Sequence, residues 1–426
     1  MDILKEVLKN EVFPALGCTE PIAVAYAASV AGKVLENEIE EMTIAVDSGV
    51  YKNGLAVTVP NAGGEKGNLI AGVLGALIKK PELKMEILKN TKVELINQAK
   101  ALIKAKKAKI FCDKSQADLY IEVLIKTEKE SARAIIKNSH TNLVHLEKNN
   151  KVILKKKSGE NKSANQEYKA ILKKMKISEL VDLAENIDDE DYSYLKRGIE
   201  MNLKISKVGR KIEKVGYYLS DLMQKGYLLD DVFSSSKIIA ASAADARMAG
   251  KNLPVMSSGG SGNQGIVAIL VPYNVGKCFK IKKKTIIRSI ALSHLINSYV
   301  KCFTGDLSSI CGCAIAAGVG AAVAIVYQQK GKNMKKITLA INSLISDLGG
   351  MLCDGAKGGC ALKVVSSTDS AIRSAYMALN NHGITALEGF IGRTAEETIY
   401  NLGKISEIGM ANADDTMLEI MMEKNL

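Results

Sequence analysis

A lysine-rich segment, residues 155–176, divides this chain into two parts with different hydrophobic patterns. Before it, short runs rich in β-branched residues alternate apolar and polar positions, as half-buried strands do, and are mixed with helical segments. After it, most apolar stretches have helical spacing and are separated by glycine-rich loops. The pattern predicts an α+β fold: an N-terminal mixed α/β domain with an antiparallel sheet, and a larger, mostly α-helical C-terminal domain.

We place the first domain at residues 1–155, a lysine-rich linker or exposed excursion at 156–176, and the helical domain at 177–426. The length of 426 residues suits two or three domains of about 150 residues each. Residues 310–327 carry no charge, but their alanine, glycine and cysteine content favours a buried, closely packed helix over a membrane span. Strands are expected at 41–46, 55–59, 119–126, 132–137, 142–147 and 151–154.

The net charge of +12 comes mainly from lysine, since only seven of the 58 basic residues are arginine. Proteins that read phosphates and bases favour arginine, whose planar fork binds bidentately. Aromatic residues, which would stack on bases, make up only 5% of the chain. The charge therefore indicates a solvated lysine-rich surface, and neither nucleic acid nor a membrane is expected as a partner.

The eight cysteines are too few for a disulfide scaffold in a chain of this length. The N-terminal residues are amphipathic and carry both charges, which is unlike a signal peptide. We therefore expect a cytoplasmic protein whose cysteines are free or bind a metal.

Cys18 in PALGCTEPIAVA comes just before an expected helix, with Thr19 as a candidate N-cap and Glu20 and Pro21 in the first turn. The positive end of the helix dipole is expected to lower the pKa of this thiol and favour the thiolate. The charge of Glu20 opposes that effect. A small buried cysteine in a helix-entry loop is the alternative interpretation.

Two further segments hold closely spaced cysteines: LSSICGCAIAA with Cys311 and Cys313, and MLCDGAKGGCALKV with Cys353 and Cys360. Zinc sites prefer pairs of the C-x2-4-C type, which these spacings match poorly. Glycine-rich loops can wrap an iron–sulfur cluster and bring backbone N–H groups to its sulfurs, so a cluster fits better. Unliganded core cysteines beside closely packed helices are the alternative.

The loop SSGGSGNQGI has glycines 260, 262 and 265 in G-x-G-x-x-G spacing. An expected helix precedes it instead of a strand, so a dinucleotide site is not indicated. Successive N–H groups ahead of an apolar helix suit a carboxylate, and a plain turn between helices fits as well. Elsewhere, Asn53 is expected in a turn between strands, and His140 and His145 on opposite faces of one strand, where they cannot form a metal pair.

Six segments together resemble the L-cysteine desulfidase family, which is related more distantly to the α-chain of iron–sulfur L-serine dehydratases. In chain order they are PALGCTEPIAVA, KNGLAVTVP, HTNLVHLE, SAADARMAGKNLPVMSSGGSGNQGI, LSSICGCAIAA and MLCDGAKGGCALKV. The resemblance spans nearly the full chain. It implies a carbon–sulfur lyase that cleaves L-cysteine to hydrogen sulfide, ammonia and pyruvate by α,β-elimination.

The resemblance also implies one [4Fe–4S] cluster per subunit, held by Cys311, Cys353 and Cys360, with Cys313 as an alternative to Cys311. It implies Cys18 as the catalytic base. Three protein ligands leave one iron open to substrate, and the cluster takes the place of pyridoxal phosphate, which is not expected.

The expected partner is a small amino-acid substrate, and a homo-oligomer is compatible with the sequence. An L-serine dehydratase that uses the same cluster is the first alternative function. A non-catalytic, zinc-stabilised binding protein is the alternative from a different class. The candidate contacts for the carboxylate and amine of the substrate are Asn53, His140, Ser258, Gly262 and Asn263.

Overall fold

The computed structural model describes residues 1–116, 119–156, 163–305 and 307–424, with only the backbone of 163–166. Residues 157–162 of the expected linker lie outside the described residues. The strands are β1 Pro14–Ala15, β2 Glu41–Val46, β3 Ala108–Cys112, β4 Tyr120–Lys126, β5 Ser131–Lys137, β6 Leu143–Lys148, β7 Lys151–Lys155 and β8 Val255–Met256.

Helices account for most of the remaining structure, with a 3-10 segment at Pro81–Glu86 and a π-helical turn at Ile405–Gly409. The α-helices are α1 Ile3–Glu11, α2 Thr19–Lys33, α3 Ser48–Gly54, α4 Asn68–Ile78, α5 Val93–Lys104, α6 Ser163–Leu172, α7 Ile177–Glu185, α8 Asp189–Gly209, α9 Val215–Gln224, α10 Val232–Met248, α11 Gly262–Cys278, α12 Lys283–Thr304, α13 Ala316–Lys330, α14 Met334–Leu348, α15 Cys360–Leu379, α16 Ala395–Lys404 and α17 Ala411–Glu423.

Strands β2 to β7 form one sheet in the order β3-β2-β4-β5-β6-β7. All neighbouring pairs are antiparallel except β2 and β3, which run parallel. In β5 the alternation is clear, since Ala132, Ala134 and Ile136 are buried while the residues between them are not. The α+β fold and the antiparallel sheet are confirmed. Strand β3 was not predicted, because lysines interrupt its apolar pattern, and it forms the parallel edge of the sheet.

The strand expected at residues 55–59 is wrong. Val57 and Val59 are each 1% exposed, but the segment is a loop in which Thr58 makes an isolated bridge to Lys66. Val57 packs beside Cys18, and Val59 joins the core under the sheet. The alternation of apolar residues therefore comes from two separate packing contacts and does not reflect strand pairing.

The C-terminal helices share a second large core, with α13 near its centre. Every residue from Ala316 to Gln328 is buried. A Cβ added to Gly320 would lie 2.5 Å from the carbonyl oxygen of Ser293 in α12, so the glycine permits the close approach of the two helices. This confirms the expected closely packed helix. Within the described ranges, no helix is long and apolar enough to cross a membrane.

The first helix belongs to the C-terminal core, although it starts the chain. The apolar face of α1 packs against helices α6, α7 and α12. In α6, Tyr168 and Leu172 are buried, and the Tyr168 hydroxyl donates a hydrogen bond of 2.7 Å to Glu11 Oε1. The segment that we expected as linker thus contains a packed helix, because two large side chains in it meet the apolar face of α1.

Helix α2, which leads away from Cys18, depends on a glycine contact with α4. A Cβ on Gly75 would lie 2.0 Å from the carbonyl oxygen of Ala25, so Gly75→Ala must push the two helices apart. We expect the free energy of unfolding in urea to fall by about 1–3 kcal/mol. Gly350→Ala, where an added Cβ meets nothing within 4 Å, is the control. Equal effects of the two substitutions would contradict this account of the packing.

Candidate active site

The short pairing of β1 with β8 brings the Cys18 segment to the glycine-rich loop of residues 257–262. The two strands are antiparallel. Next to them, the Ser257 N–H donates to the Phe13 carbonyl at 2.9 Å, and the Phe13 N–H donates to Ser257 Oγ at 2.8 Å. Because each motif leaves this pairing directly, segments separated by about 240 residues in sequence become neighbours.

Cys18 occupies the N-cap position of α2 and is 4% exposed. Its thiol donates a hydrogen bond of 2.7 Å to Glu20 Oε2, to which the Thr19 hydroxyl also donates at 3.1 Å. His140 Nε2 lies 3.9 Å from the other oxygen of Glu20. Cys18 rather than Thr19 is therefore the N-cap residue, and its side chain makes no capping hydrogen bond.

Burial raises the pKa of the Cys18 thiol well above its usual value, the charge of Glu20 raises it further, and Arg247 partly opposes both. Burial also acts to raise the pKa of Glu20, but the interaction with His140 and the Cys18 hydrogen bond outweigh it and hold this pKa at about 2. The pair thus rests as a thiol that donates to a carboxylate. The expected lowering of the thiol pKa is wrong, because loss of hydration outweighs the helix dipole.

Two cysteine segments meet in a short antiparallel bridge. The Cys311 N–H donates to the Met351 carbonyl at 2.8 Å, and the Cys353 N–H donates to the Ser309 carbonyl at 2.7 Å. This pairing brings the thiols of Cys311 and Cys353 close enough for each to shift the pKa of the other.

Cys360 begins α15, after the loop of residues 354–359 that follows Cys353. Its thiol donates to the carbonyl of Gly355 in that loop, at 3.8 Å. Gly355 has a φ of +91°, and an added Cβ would lie 2.3 Å from the Lys52 carbonyl oxygen, so a glycine is needed where the loop turns against α3. The loop therefore turns back on itself and returns Cys360 toward the first pair of cysteines.

The interaction with the Cys313 thiol raises the pKa of Cys311, so these two thiols lie close together and the structure leaves the choice between the two ligands open. Among the described residues, no group of three His, Cys, Asp or Glu side chains is placed to bind a single metal ion. Cysteine thiolates are the usual ligands of an iron–sulfur cluster. Cys311, Cys353 and Cys360 therefore form a donor set whose chemistry fits such a cluster.

Cys18 and Cys360 contribute to one small apolar cluster. Cys18, Val57 and Met248 are buried together, and Cys360 and Ala356 pack against them. The motif at the start of the chain and the last of the candidate ligands, 342 positions apart by their residue numbers, therefore pack in one cluster.

Of the candidate substrate contacts in and after the glycine-rich loop, Ser258 has a structural role. Ser258 is fully buried, and its hydroxyl contacts His294 Nδ1 at 2.8 Å and accepts from Asn297 Nδ2 at 2.9 Å. Burial lowers the pKa of His294 to about 3, so this histidine is neutral. Because both partners of Ser258 are protein groups, its side chain holds the loop in place.

Gly262 and Asn263 start α11 and lie beside the end of α10. Asn263 Nδ2 donates to Met248 Sδ at 3.7 Å, and its buried Oδ1 has no hydrogen-bond partner. A Cβ added to Gly262 would lie 2.3 Å from Arg247 Nε. These two residues thus lie beside Met248, which itself packs against Cys18.

Asn53 is in α3 and not in a turn, because the side chain of Asp47 caps a helix there by accepting from the N–H groups of Gly49 and Val50. It is 8% exposed, and its Cα would lie 3.6 Å from a Cβ added to Gly355. The structure therefore places Asn53 against the loop between Cys353 and Cys360.

Two buried charges received no role from the sequence. Glu20 was considered only as a charge that opposes the thiolate, whereas it accepts the Cys18 hydrogen bond. Arg247 is 3% exposed and lies at the end of α10. Burial raises the pKa of both Cys18 and Cys360, and the positive charge of Arg247 opposes that shift. The signal in the sequence that could have indicated a role for Arg247 is its position inside the alanine-rich run SAADARMAG, since the chain has only seven arginines.

A family model described as the serine dehydratase alpha chain matches residues 27–419. The chain belongs to this family. The serine dehydratase alpha chains are lyase-like enzymes that generally contain iron–sulfur clusters. The match spans both the sheet and the helical core, so it includes every candidate residue except Cys18 and its neighbours.

Curated relatives cover this serine dehydratase-like chain from end to end. A UPF0597 protein of Geobacter sulfurreducens is 60% identical over 424 residues, which are 100% of this chain and 99% of the relative. UPF0597 proteins of Elusimicrobium minutum and Clostridium tetani are 56% and 42% identical, and cover 100% and 99% of the chain and 100% and 98% of the relatives. No solved structure matches the chain.

The raised pKa of Cys18 can be tested by alkylation of the cluster-free protein with iodoacetamide, followed residue by residue with mass spectrometry. At about pH 8, we expect Cys18 to react far more slowly than exposed Cys278, because the thiolate is the reactive form. Glu20→Gln removes a charge that raises the Cys18 pKa, so it should speed labelling of Cys18 and leave Cys278 unchanged. Equal rates at Cys18 before and after the substitution would contradict the assignment.

Proposed function

We propose that this protein is an iron–sulfur-dependent lyase that cleaves L-cysteine to hydrogen sulfide, ammonia and pyruvate. The observation that carries the proposal is the packing of Cys360 against the cluster that contains Cys18. Cys353 lies close enough to Cys360, and Cys311 close enough to Cys353, to raise the pKa of its neighbour. A candidate acid–base group and a candidate ligand set thus meet in one site. Membership in the serine dehydratase alpha chain family supports the same class of reaction.

Cys311, Cys353 and Cys360 would hold a [4Fe–4S] cluster, one in each subunit, with Cys313 as the alternative to Cys311. The Cys313 thiol and burial raise the pKa of Cys311, and burial raises the pKa of Cys360; the charge of Lys363 opposes both shifts, and that of Arg247 opposes the shift at Cys360. Bound there, the cluster would supply an open iron as a Lewis acid for the carboxylate or the leaving sulfur of the substrate. Pyridoxal phosphate has no part in this scheme. All eight cysteines are free of disulfides, which suits a reducing cytoplasm.

In this proposal Cys18 removes the Cα proton of the substrate. The resting thiol must first lose its own proton, and the hydrogen bond to Glu20 gives that proton a route. His140 continues the route, since it lies 3.9 Å beyond Glu20 and its side chain is 20% exposed. Cys18, Glu20 and His140 would therefore act as a path for protons between substrate and solvent.

The elimination balances without an oxidant or a reductant. The electron pair of the Cα–H bond forms the Cα=Cβ double bond, and the Cβ–S bond breaks with its electrons on sulfur. Sulfur leaves as hydrosulfide and takes up a proton, which gives hydrogen sulfide. The remaining aminoacrylate adds water and releases ammonia to give pyruvate, so one water is consumed for each cysteine.

L-serine is the second candidate substrate, because the family model is described by serine dehydration. The same residues would then break a Cβ–O bond and release water. L-cysteine is our first choice because the six segments quoted above resemble cysteine desulfidases. Pyruvate formation from the two amino acids at equal concentration, measured with the anaerobically purified protein, decides between them. Faster turnover of serine would replace cysteine as the proposed substrate.

The cluster is tested by anaerobic purification or reconstitution of the full chain. We expect a brown protein that contains iron and acid-labile sulfide, and Cys353→Ser should lose both. Cys278→Ser, a change at an exposed cysteine outside the site, should retain them and serves as the control. A colourless wild-type protein that binds no iron after reconstitution would remove the cluster from the proposal.

The role of Cys18 is tested in the loaded protein. Cys18→Ala should keep the iron and sulfide content of the wild type but lower kcat/KM by at least about 100-fold, as expected when a general base is lost. Sulfide and pyruvate release give the rate, and iron analysis gives the loading. An active Cys18→Ala variant with a full cluster would show that another group takes the proton.

A further inference from the structure

Arg247 is a buried cation that has no counter-ion among the described residues. It is 3% exposed, and within this part of the chain its Nε has no hydrogen-bond partner. No Asp or Glu oxygen of the described residues lies within ion-pair distance of its guanidinium. A buried guanidinium that is neither paired nor fully hydrogen-bonded is costly to desolvate, so such a charge usually serves a ligand.

The guanidinium lies against the first residue of a long helix. A Cβ on Gly262 would be 2.3 Å from Arg247 Nε and 2.8 Å from its Cζ. Gly262 begins α11, and its N-cap residue, Ser261, makes no side-chain capping hydrogen bond. The first N–H groups of a helix have no partner within the helix and attract anions. The free donors of the helix and the free guanidinium therefore occur at the same place.

Two amide side chains on the first turn of α11 extend this polar surface toward the cysteines. Asn263 Oδ1 and Gln264 Oε1 are both buried without hydrogen-bond partners. A Cβ on Gly312, which lies between Cys311 and Cys313, would be 2.7 Å from Gln264 Nε2. Gln264 thus connects the start of α11, where Arg247 lies, to the segment that holds Cys311 and Cys313.

We propose that Arg247 and the N-terminal N–H groups of α11 bind the α-carboxylate of an amino-acid substrate. This rests on the proposed lyase function and specifies its substrate class: small amino acids with a free carboxylate. The planar fork of arginine matches a carboxylate with two parallel hydrogen bonds, and the absence of a side chain at Gly262 lets the guanidinium lie close to the helix start. The unpaired oxygen of Asn263 can accept from the amine of the same substrate.

Binding is measured by calorimetry with two probes that differ only in the carboxylate, L-alanine and L-alaninamide. Neither has a leaving group, so both the cluster-free and the loaded protein can be used. Wild type should bind L-alanine at least about 10-fold more tightly than L-alaninamide, as a charge-assisted pair implies. Arg247→Met should remove this preference, Arg247→Lys should keep part of it, and Arg210→Gln, at an exposed arginine, should keep all of it.

Stability distinguishes loss of the binding group from loss of folding. Because Arg247→Met removes an unpaired buried charge and replaces it with an apolar side chain of similar length, we expect the cluster-free variant to unfold at a higher temperature than wild type. L-alanine should raise the Tm of wild type and leave that of Arg247→Met unchanged. Gly262→Ala, which places a methyl group on the guanidinium, should weaken L-alanine binding while Arg247 is still present.

Kinetics supply a third test in the loaded protein. Arg247→Lys should raise the KM for the amino-acid substrate by about 10- to 100-fold and change kcat less, because the contact is present in both the ground and transition states. Its iron content should equal that of wild type. Loss of the cluster in Arg247→Met, with L-alanine binding unchanged in the cluster-free protein, would instead make Arg247 a counter-charge for the cluster and overturn the proposal.

The two proposals fail in different ways. If wild type binds L-alanine through Arg247 but turns over neither cysteine nor serine, the carboxylate site stands and the lyase function fails. If wild type is an active lyase and Arg247→Met keeps its preference for L-alanine over L-alaninamide, the function stands and the carboxylate site is wrong. No binding of L-alanine to either form of wild type would also overturn the carboxylate site.

Discussion

The pairing of β1 with β8 is the contact on which the site depends. The pairing lies between α1, which packs in the helical core, and Cys18 and α2, which follow it in the chain. Helix α2 packs on the sheet. Glu11, at the end of α1, fixes the same part of the chain, because its carboxylate accepts hydrogen bonds from the hydroxyls of Tyr168 and Ser298. Backbone hydrogen bonds between β1 and β8 fix the position and direction of the chain just before Cys18. Cys18 is therefore held against the C-terminal helices.

Burial is the second constraint, and it affects each charged group differently. Cys18 keeps its proton because a thiolate would lose its hydration, whereas Glu20 stays ionised because His140 and the thiol stabilise its charge. Arg247 remains charged without a protein partner in the described structure. Cys18 packs with Met248, the neighbour of Arg247 in the sequence, so these groups lie in one part of the fold. The low exposure that shifts the pKa of Cys18 also excludes the water that would compete with a substrate.

Patterns within a few residues predicted local features well. The strands at 41–46 and 132–137 and the small-residue helix after Cys313 were expected from alternation and composition, and the structure contains them. Local patterns failed where a distant contact decided the outcome. Residues 55–59 alternate because they pack in two places, Asn53 is helical because Asp47 caps α3, and α6 is ordered by its contact with α1.

The sequence by itself determined the chemistry that is available: which cysteines exist, their glycine-rich surroundings, and a resemblance strong enough to indicate a cluster enzyme. It also determined the α+β character, because hydrophobic periodicity is set by neighbouring residues. Only the tertiary structure decided that Cys18 reaches Cys360, that Glu20 holds the Cys18 proton, and that Arg247 has no counter-ion among the described residues. The reason is physical: a pKa shift or an unpaired charge depends on desolvation and on partners that approach from distant parts of the chain, and no local pattern records either.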